Sequence, residues 1–401
     1  MKIYTQKGIE GEEFVNNLAF KSFFKYWCYP NPIDEKGDRK EICDLLVLFK
    51  DICVIISVKN YKNTGNFDRY IRKTVKKSVS QISGAERKLF QLNRSLYIKH
   101  PDKSIEKFEK NKYNSIYRIT INVGDATDIQ LLEAKTKSGK YVTVLDREVF
   151  ETAMEYLDTI ADFINYLEKR EELLGKLANT LMFGKEKDIL ALFLENQGSF
   201  PQGILENDAE FMVLDLENKW DNFSSEFKER IKKKKKEELA SRAFDKHIET
   251  WLSGVDNGPE LAREFLSLNR FQRRLMSNGL SEFIEMNKNR GSNAIGRRYF
   301  AVDNFGISFL FHGKDVSEEN FVMIALQSIM IKSAQLRNYG EEHLLGLSIN
   351  SQGNIWKILY LNLNQITPEA EKYTEDIIKH FGWFKEVKKK LVKVQEYPDE
   401  D

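Results

Sequence analysis

The sequence is poor in cysteine. It has three in 401 residues, Cys28, Cys43 and Cys53, without CxxC spacing. That excludes a disulfide frame and a thiolate zinc site, and leaves small hydrophobes suited to a reducing compartment. An excess of one charge is lacking too. Lys and Arg number 62 against 61 Asp and Glu, a formal net charge of +1, so any nucleic-acid surface has to be local. No apolar run approaches the roughly 18 residues of a membrane span, and no apolar stretch follows the lysine of MKIYTQKG, so no signal peptide is expected. A cytoplasmic protein without a membrane partner is the expectation. GxxxxGK[ST], HExxH and GxSxG are absent, which removes the standard ATP loop, the zinc-protease helix and the nucleophile elbow. The histidines (His100, His247, His312, His343, His380) are scattered without ligand spacing, and no Cys-His dyad is evident.

What is present is concentrated in EICDLLVLFKDICVIISVKNY, from Glu41 to Tyr61. Two runs rich in Val, Ile and Leu flank Lys50-Asp51 and predict an antiparallel hairpin with a two-residue loop. The register follows: Phe49 opposite Ile52, Leu48 opposite Cys53, and so on to Asp44 opposite Ser57. Side chains alternate across a strand, so Asp44, Leu46, Leu48, Cys53, Ile55, Ser57 and Lys59 share one face. Its open end carries a carboxylate, a hydroxyl and an ammonium, which are costly to bury without partners.

These residues resemble the core of the PD-(D/E)xK nuclease superfamily, the restriction-endonuclease-like fold. Asp44 matches the Asp that ends one strand, and Lys59 the Lys of the acidic-x-Lys element on the next. Ser57 stands where the second acid is expected, so the pattern is D…SxK, and the second metal ligand is sought elsewhere. The resemblance implies an αβββαβ core, Mg²⁺ (or Mn²⁺) on Asp44 with the Val58 carbonyl as an extra ligand, and Lys59 supporting the attacking water or the developing phosphorane charge. It covers about the first 170 residues.

The flanking helices fit that order. Residues 8–27 have helical spacing, with Phe14, Val15, Leu18, Ala19, Phe23 and Tyr26 as a buried stripe. The stretch opens with Gly8, Gly11 and Glu12 in a Gly-x-x-Gly-Glu pattern. In the superfamily a glutamate of the first helix often joins the metal, so Glu12 or Glu13 is the candidate; the alternative is two solvated first-turn acids. Residues 67–94 predict a helix rich in cations: Arg69, Arg72, Lys73, Lys76, Lys77, Arg87, Lys88 and Arg94 against Asp68 and Glu86. The resemblance puts a site-completing glutamine on this helix, and Gln81 is the candidate; Glu86 is a further candidate for the relocated carboxylate. Arg69, Arg72, Lys73, Lys76 and Lys77 beside a metal site suit a phosphate backbone, with an ordinary solvated helix face as the alternative.

Residues 100–116 are polar and read as a loop. Tyr117–Val123 and Tyr141–Leu145 predict strands, and 147–174 predicts helix with a break near Asp158. Residues 175–225 are mixed. Glu226–Gly254 is helical; its five lysines, Lys232 to Lys236, lie between Glu226, Glu229, Glu237 and Glu238, the pattern of a self-paired helix rather than a nucleic-acid patch. Beyond 290 the order is strand-strand-helix twice, and the tail from Lys388 reads as disordered. The expected fold class is therefore α/β. It comprises a restriction-endonuclease-like domain (1–174), a helical connecting region (175–290) and a small C-terminal α/β domain (291–401) for a trigger or partner. The expected function is a metal-dependent endonuclease acting on nucleic acid, double-stranded DNA foremost, in restriction, repair or anti-phage defence, with a homodimer as one assembly. A nuclease fold that binds nucleic acid without cutting it, and a scaffold protein, are the competing readings.

Overall fold

The computed structural model describes residues 6–62, 65–124, 134–176, 180–206, 212–254, 258–302, 305–316, 318–337, 340, 342–385 and 396–397. The chain is mixed α/β and divides into two compact units, Met1–Lys228 and Glu229–Asp401. The helical stretch 175–290 is thus shared between them. Among the described residues no helix is long and apolar enough to cross a membrane.

In the first unit a helix, Gln6–Phe23, precedes strands β1 (Cys28–Pro30), β2 (Leu45–Phe49) and β3 (Ile52–Lys59). A long helix over 67–91 follows, with π-helical turns at Arg72–Lys76 and Arg87–Gln91. Next come a short ribbon of β4 (Tyr97–Lys99) and β5 (Ile105–Lys107), then β6 (Ser115–Asn122), β7 (Ala134–Lys135) and β8 (Tyr141–Asp146). The main sheet runs β1-β2-β3-β6-β8-β7, with β3 parallel to β6 and β6 parallel to β8. In chain order this part is a helix, three strands, a helix, the β4–β5 ribbon and then β6.

The hairpin register is as read from the sequence, Phe49 opposite Ile52 through Leu45 opposite Ile56. Lys50 takes a left-handed φ of 50° in the tight turn, as such hairpin loops require. Both faces are covered, which explains unbroken apolar runs in place of alternation. Leu46, Leu48, Cys53 and Ile55 pack against Val75, Ile82, Ala85 and Leu89 of the helix 67–91. The first helix packs on β1, β2 and β3, and Arg147–Tyr156 on β6 and β8 of the same sheet. Val15, Ala19 and Phe23, four residues apart, are that first helix's buried line.

Two stretches differ from expectation. Residues 100–116 are not wholly loop: Tyr97 to Lys99 pairs with Ile105 to Lys107. Three-residue strands are too short for a periodic signal, and buried Ile98 and Phe108 anchor the ribbon to the core. The mixed region holds a parallel pair, β9 (Thr180–Phe183) with β10 (Met212–Asp215), around the helix Glu186–Glu195. The expected break near Asp158 is present, between Arg147–Tyr156 and Ile160–Lys176. Thr159 Oγ1 accepts the Asp162 N–H at 3.1 Å there, starting the second helix.

The second unit opens with helices Lys228–Glu237, Leu239–Gly254, Gly258–Leu266 and Arg270–Asn287. Within the lysine row, Lys232 pairs with Glu229 at 3.6 Å and Lys234 with Glu238 at 3.7 Å, as in a self-paired helix, but Lys234 is buried and also pairs with Glu396 of the C-terminal tail. Strands β11 (Ile295–Val302), β12 (Phe305–His312), β13 (His343–Ile349) and β14 (Ile355–Asn362) form one sheet in that order. Helices Glu319–Arg337 and Pro368–Phe381 follow the two hairpins. The β12–β13 pairing is parallel and joins the two strand-strand-helix halves. The first hairpin's turn residues, Asp303 and Asn304, and all of the 388–401 tail except 396–397 lie outside the described residues.

Candidate active site at the open end of the hairpin

Gly11 explains how the first helix reaches the hairpin. A Cβ there would lie 2.7 Å from Val123 Cγ2 and 3.4 Å from Asn60 Cβ. Only glycine lets the helix backbone sit this close to the strand ends. Asn60 Nδ2 donates to the Lys7 carbonyl at 2.6 Å and ties the same two elements. The next residue, Glu12, is thereby brought to the hairpin's polar end.

Asp44 precedes β2. Its Oδ2 accepts from the Val58 N–H at 2.5 Å and from Ser57 Oγ at 3.1 Å, with Lys59 Nζ at 3.6 Å. Among the described residues none donates to Oδ1. Lys59 Nζ donates to Ser57 Oγ and to the Val58 carbonyl, both at 2.7 Å. The side chains of Asp44 and Lys59 are only 11% and 13% exposed, so this small cluster is fixed before any ligand arrives.

Glu12 faces the same point. Its carboxyl is raised above the ordinary glutamate value by burial first, then by Asp44 and Glu41, against the lowering effects of Asn31 and Lys59. Burial also pushes the Lys59 ammonium below its ordinary value; Asp44 opposes this and Lys77 adds to it. Two carboxylates and two ammoniums therefore feel one another here. A recess of about 390 Å³ beside them is lined by Ile9, Glu12, Glu13, Asn16 and Asn31.

Of the residues singled out from sequence, Asp44, Ser57, Val58, Lys59 and Glu12 come together. Glu13 is exposed on the recess rim and Gln81 is exposed on its helix; neither hydrogen-bonds the cluster among the described residues. Glu86 is taken elsewhere. It holds Arg118 through two hydrogen bonds, 2.7 Å to Nε and 2.6 Å to Nη2, a structural pair with Arg118 only 5% exposed.

Asn31 is the residue that sequence reasoning passed over. It adopts a left-handed φ of 45°, its N–H donates to the Asp44 carbonyl at 2.9 Å, and its Nδ2 donates to Glu12 Oε2 at 3.2 Å. One residue thus ties the Glu12 carboxylate to the backbone of Asp44. The signal available was its place between Pro30 and Pro32, where asparagine tolerates the conformation best after glycine.

The helix 67–91 presents Arg69, Arg72, Lys73, Lys76 and Lys77 at i, i+3, i+4, i+7 and i+8, one side of a helix. All five are exposed, and none forms an ion pair among the described residues. Lys77, nearest Lys59 in its electrostatic effect, connects this stripe to the cluster.

Among the described residues no group of three or more His, Cys, Asp or Glu side chains is placed to hold a metal. The groups nearby that could serve are all oxygen: the Asp44 carboxylate, the Glu12 carboxylate that feels its charge, and the Val58 carbonyl, which already accepts from Lys59 Nζ at 2.7 Å. A hard cation such as Mg²⁺ is commonly bound by one or two carboxylates, the rest of its shell being water and substrate phosphate, and this set fits that use. No family model, curated protein or solved structure matches the chain.

Proposed function

We propose that the first unit is a metal-dependent nuclease that hydrolyses phosphodiester bonds, with DNA as the leading substrate. The observation that supports it most is the nearly buried Asp44 carboxylate beside the Lys59 ammonium, bridged by Ser57, with the Glu12 carboxylate of another element near enough to feel Asp44. Asp44 and Glu12, with the Val58 carbonyl, would hold Mg²⁺ or Mn²⁺. When bound, such an ion lowers the pKa of a water and polarises the scissile phosphate.

The chain's own residues do the rest. Lys59 offers a preorganised positive charge to the oxygens that gain charge as the phosphate is attacked. Its desolvation makes that charge count for more than it would in water. Ser57 receives the Lys59 proton donor and donates to Asp44, so it orients both without supplying charge. Asn31 keeps Glu12 and Asp44 in register. The stripe from Arg69 to Lys77 would take phosphates beyond the scissile one, adding affinity without sequence information. With only two carboxylates, a single tight metal site is expected; two tightly bound ions would contradict it. Recognition of a trigger or partner by the second unit, and pairing of two copies to make two cuts, belong to the same proposal.

Ser57 in place of an acid favours a second reading, a nuclease fold that binds nucleic acid without cutting it. One experiment separates them. Supercoiled plasmid and linear duplex are incubated with the protein in Mg²⁺, Mn²⁺ or EDTA, beside Asp44→Ala and Lys59→Ala. Metal-dependent cutting lost in both variants supports the nuclease. Gel-shift binding with no cutting in any metal supports the second reading.

A further inference from the structure

Phe67 is the first residue of the helix that carries the basic stripe, and it is 54% exposed. More than half of the phenyl ring thus faces solvent rather than the core. Asn66 caps the helix by accepting the Arg69 N–H at 2.8 Å, so the backbone there is held without it. The ring is also not loose. It lies 6.5 Å from Tyr70, nearly parallel at 22°, and Tyr70 in turn is 6.3 Å from Tyr61. Asn122 Nδ2 donates to the Tyr70 hydroxyl at 2.7 Å and to the Tyr61 carbonyl at 3.1 Å. Through Asn122 the aromatic group is anchored to the end of β6, where Asn122 lies opposite Lys59. An exposed, positioned ring thus stands at one end of a row of cations that are unpaired among the described residues and whose other end is Lys77.

We infer that Phe67 stacks on an unpaired base of a single-stranded nucleic-acid segment whose phosphates run along Arg69, Arg72, Lys73, Lys76 and Lys77. The inference rests on the nucleic-acid reading above and narrows the substrate class to strands with accessible bases: single strands, frayed ends or flaps. The chemistry decides the occupant. Cations one helical turn apart, about 5.4 Å along the axis, suit a polyanion. Base faces inside a duplex are covered by their neighbours, so a protein ring reaches one only where the base is unstacked. A base has a π-face whatever its identity, which makes such contact tolerant of sequence.

The test uses fluorescence anisotropy of the full chain in EDTA, so that binding is read without cutting. The probes are labelled single-stranded DNA, single-stranded RNA and blunt duplex DNA of about 20 nucleotides, longer than the roughly 4–16 that one such site covers. Phe67→Ala is expected to weaken single-strand binding about tenfold, within the range for loss of one stacked base, with little change on duplex and no change in salt dependence. Phe67→Trp should restore it. The DNA and RNA arms show which polymer is preferred. Single-strand affinity unchanged in Phe67→Ala, an equal loss on duplex, or wild-type protein that binds none of the probes would each overturn the inference. Cutting of the single-stranded probes and of plasmid in Mg²⁺ is scored separately. A Phe67 effect without cutting leaves the inference standing and removes the nuclease reading.

Discussion

The basic stripe allows a quantitative prediction about binding. Each cation that neutralises one phosphate releases condensed counterions, so log K falls against log salt with a slope near −0.7 per contact on single strands and near −0.9 on duplex. Arg69, Arg72, Lys73, Lys76 and Lys77 are exposed and unpaired among the described residues, so no internal ion pair has to break first. Five contacts give a slope of about −3.5 on a single strand and about −4.5 on duplex. Between about 50 and 200 mM salt that means losses of roughly 130-fold and 500-fold. The triple variant Arg72→Gln, Lys73→Gln and Lys76→Gln leaves two contacts, a single-strand slope near −1.4 and a loss of only about 7-fold over the same range. The assay is a salt titration of affinity in EDTA. A triple variant with the wild-type slope would refute the reasoning, because the phosphates would then be met elsewhere on the surface.

Two more predictions follow from the electrostatics of the first unit. The cutting rate, as kcat/KM, should be bell-shaped in pH. It rises as Glu12 loses its proton, above the usual glutamate range because burial and Asp44 hold the carboxyl up. It falls as Lys59 loses its proton, below the usual lysine range because burial pulls the ammonium down; an alkaline limb that persists in Lys59→Arg would dismiss Lys59 as its source. Glu86→Ala should cost about 3 kcal/mol or more in denaturant unfolding by leaving the Arg118 charge buried and unpaired. Metal-dependent cutting by the remaining folded protein should be unchanged, and Glu86→Leu with Arg118→Met should recover much of the loss; cutting abolished in both variants would return Glu86 to the site.

The legible parts of the fold were those written locally. The hairpin register followed from a two-residue turn and two apolar runs, because a slip of one residue would move every side chain to the other face. That alone put Asp44, Ser57 and Lys59 on one face. The helix 67–91 and the break before Ile160 were legible from periodicity. Asn31 was not, because its role depends on two partners, Glu12 and Asp44, that the sequence separates and only the close approach at Gly11 brings together. Glu86 was misleading for the same reason: its partner, Arg118, lies 32 residues on, and no local pattern assigns it. The cations of the stripe could be counted in the sequence, but that they lack ion-pair partners among the described residues is a property of tertiary placement. The β4–β5 ribbon escaped because three residues carry no usable period.

Both units put hairpins together in the same way. In the first, β2–β3 closes across two residues, yet β3 then pairs with β6 in parallel, Ile52 opposite Ser115. In the second, β11–β12 and β13–β14 are each local, and the parallel β12–β13 pairing, Phe305 opposite His343, unites them. A parallel pair cannot close through a tight turn; it waits for a crossover of a dozen or more residues to be ordered. Folding therefore has a built-in sequence in each unit, with quick hairpins first and a slow seam last. The seam is also where opening exposes most. Amides of β3 and β6, and of β12 and β13, should exchange with solvent only when a whole unit unfolds, whereas the ribbon at Tyr97–Lys99 exchanges by local opening. Lys59, opposite Asn122, lies at one end of the first seam, so the Asp44–Lys59 cluster is tied to the part of the sheet expected to open last.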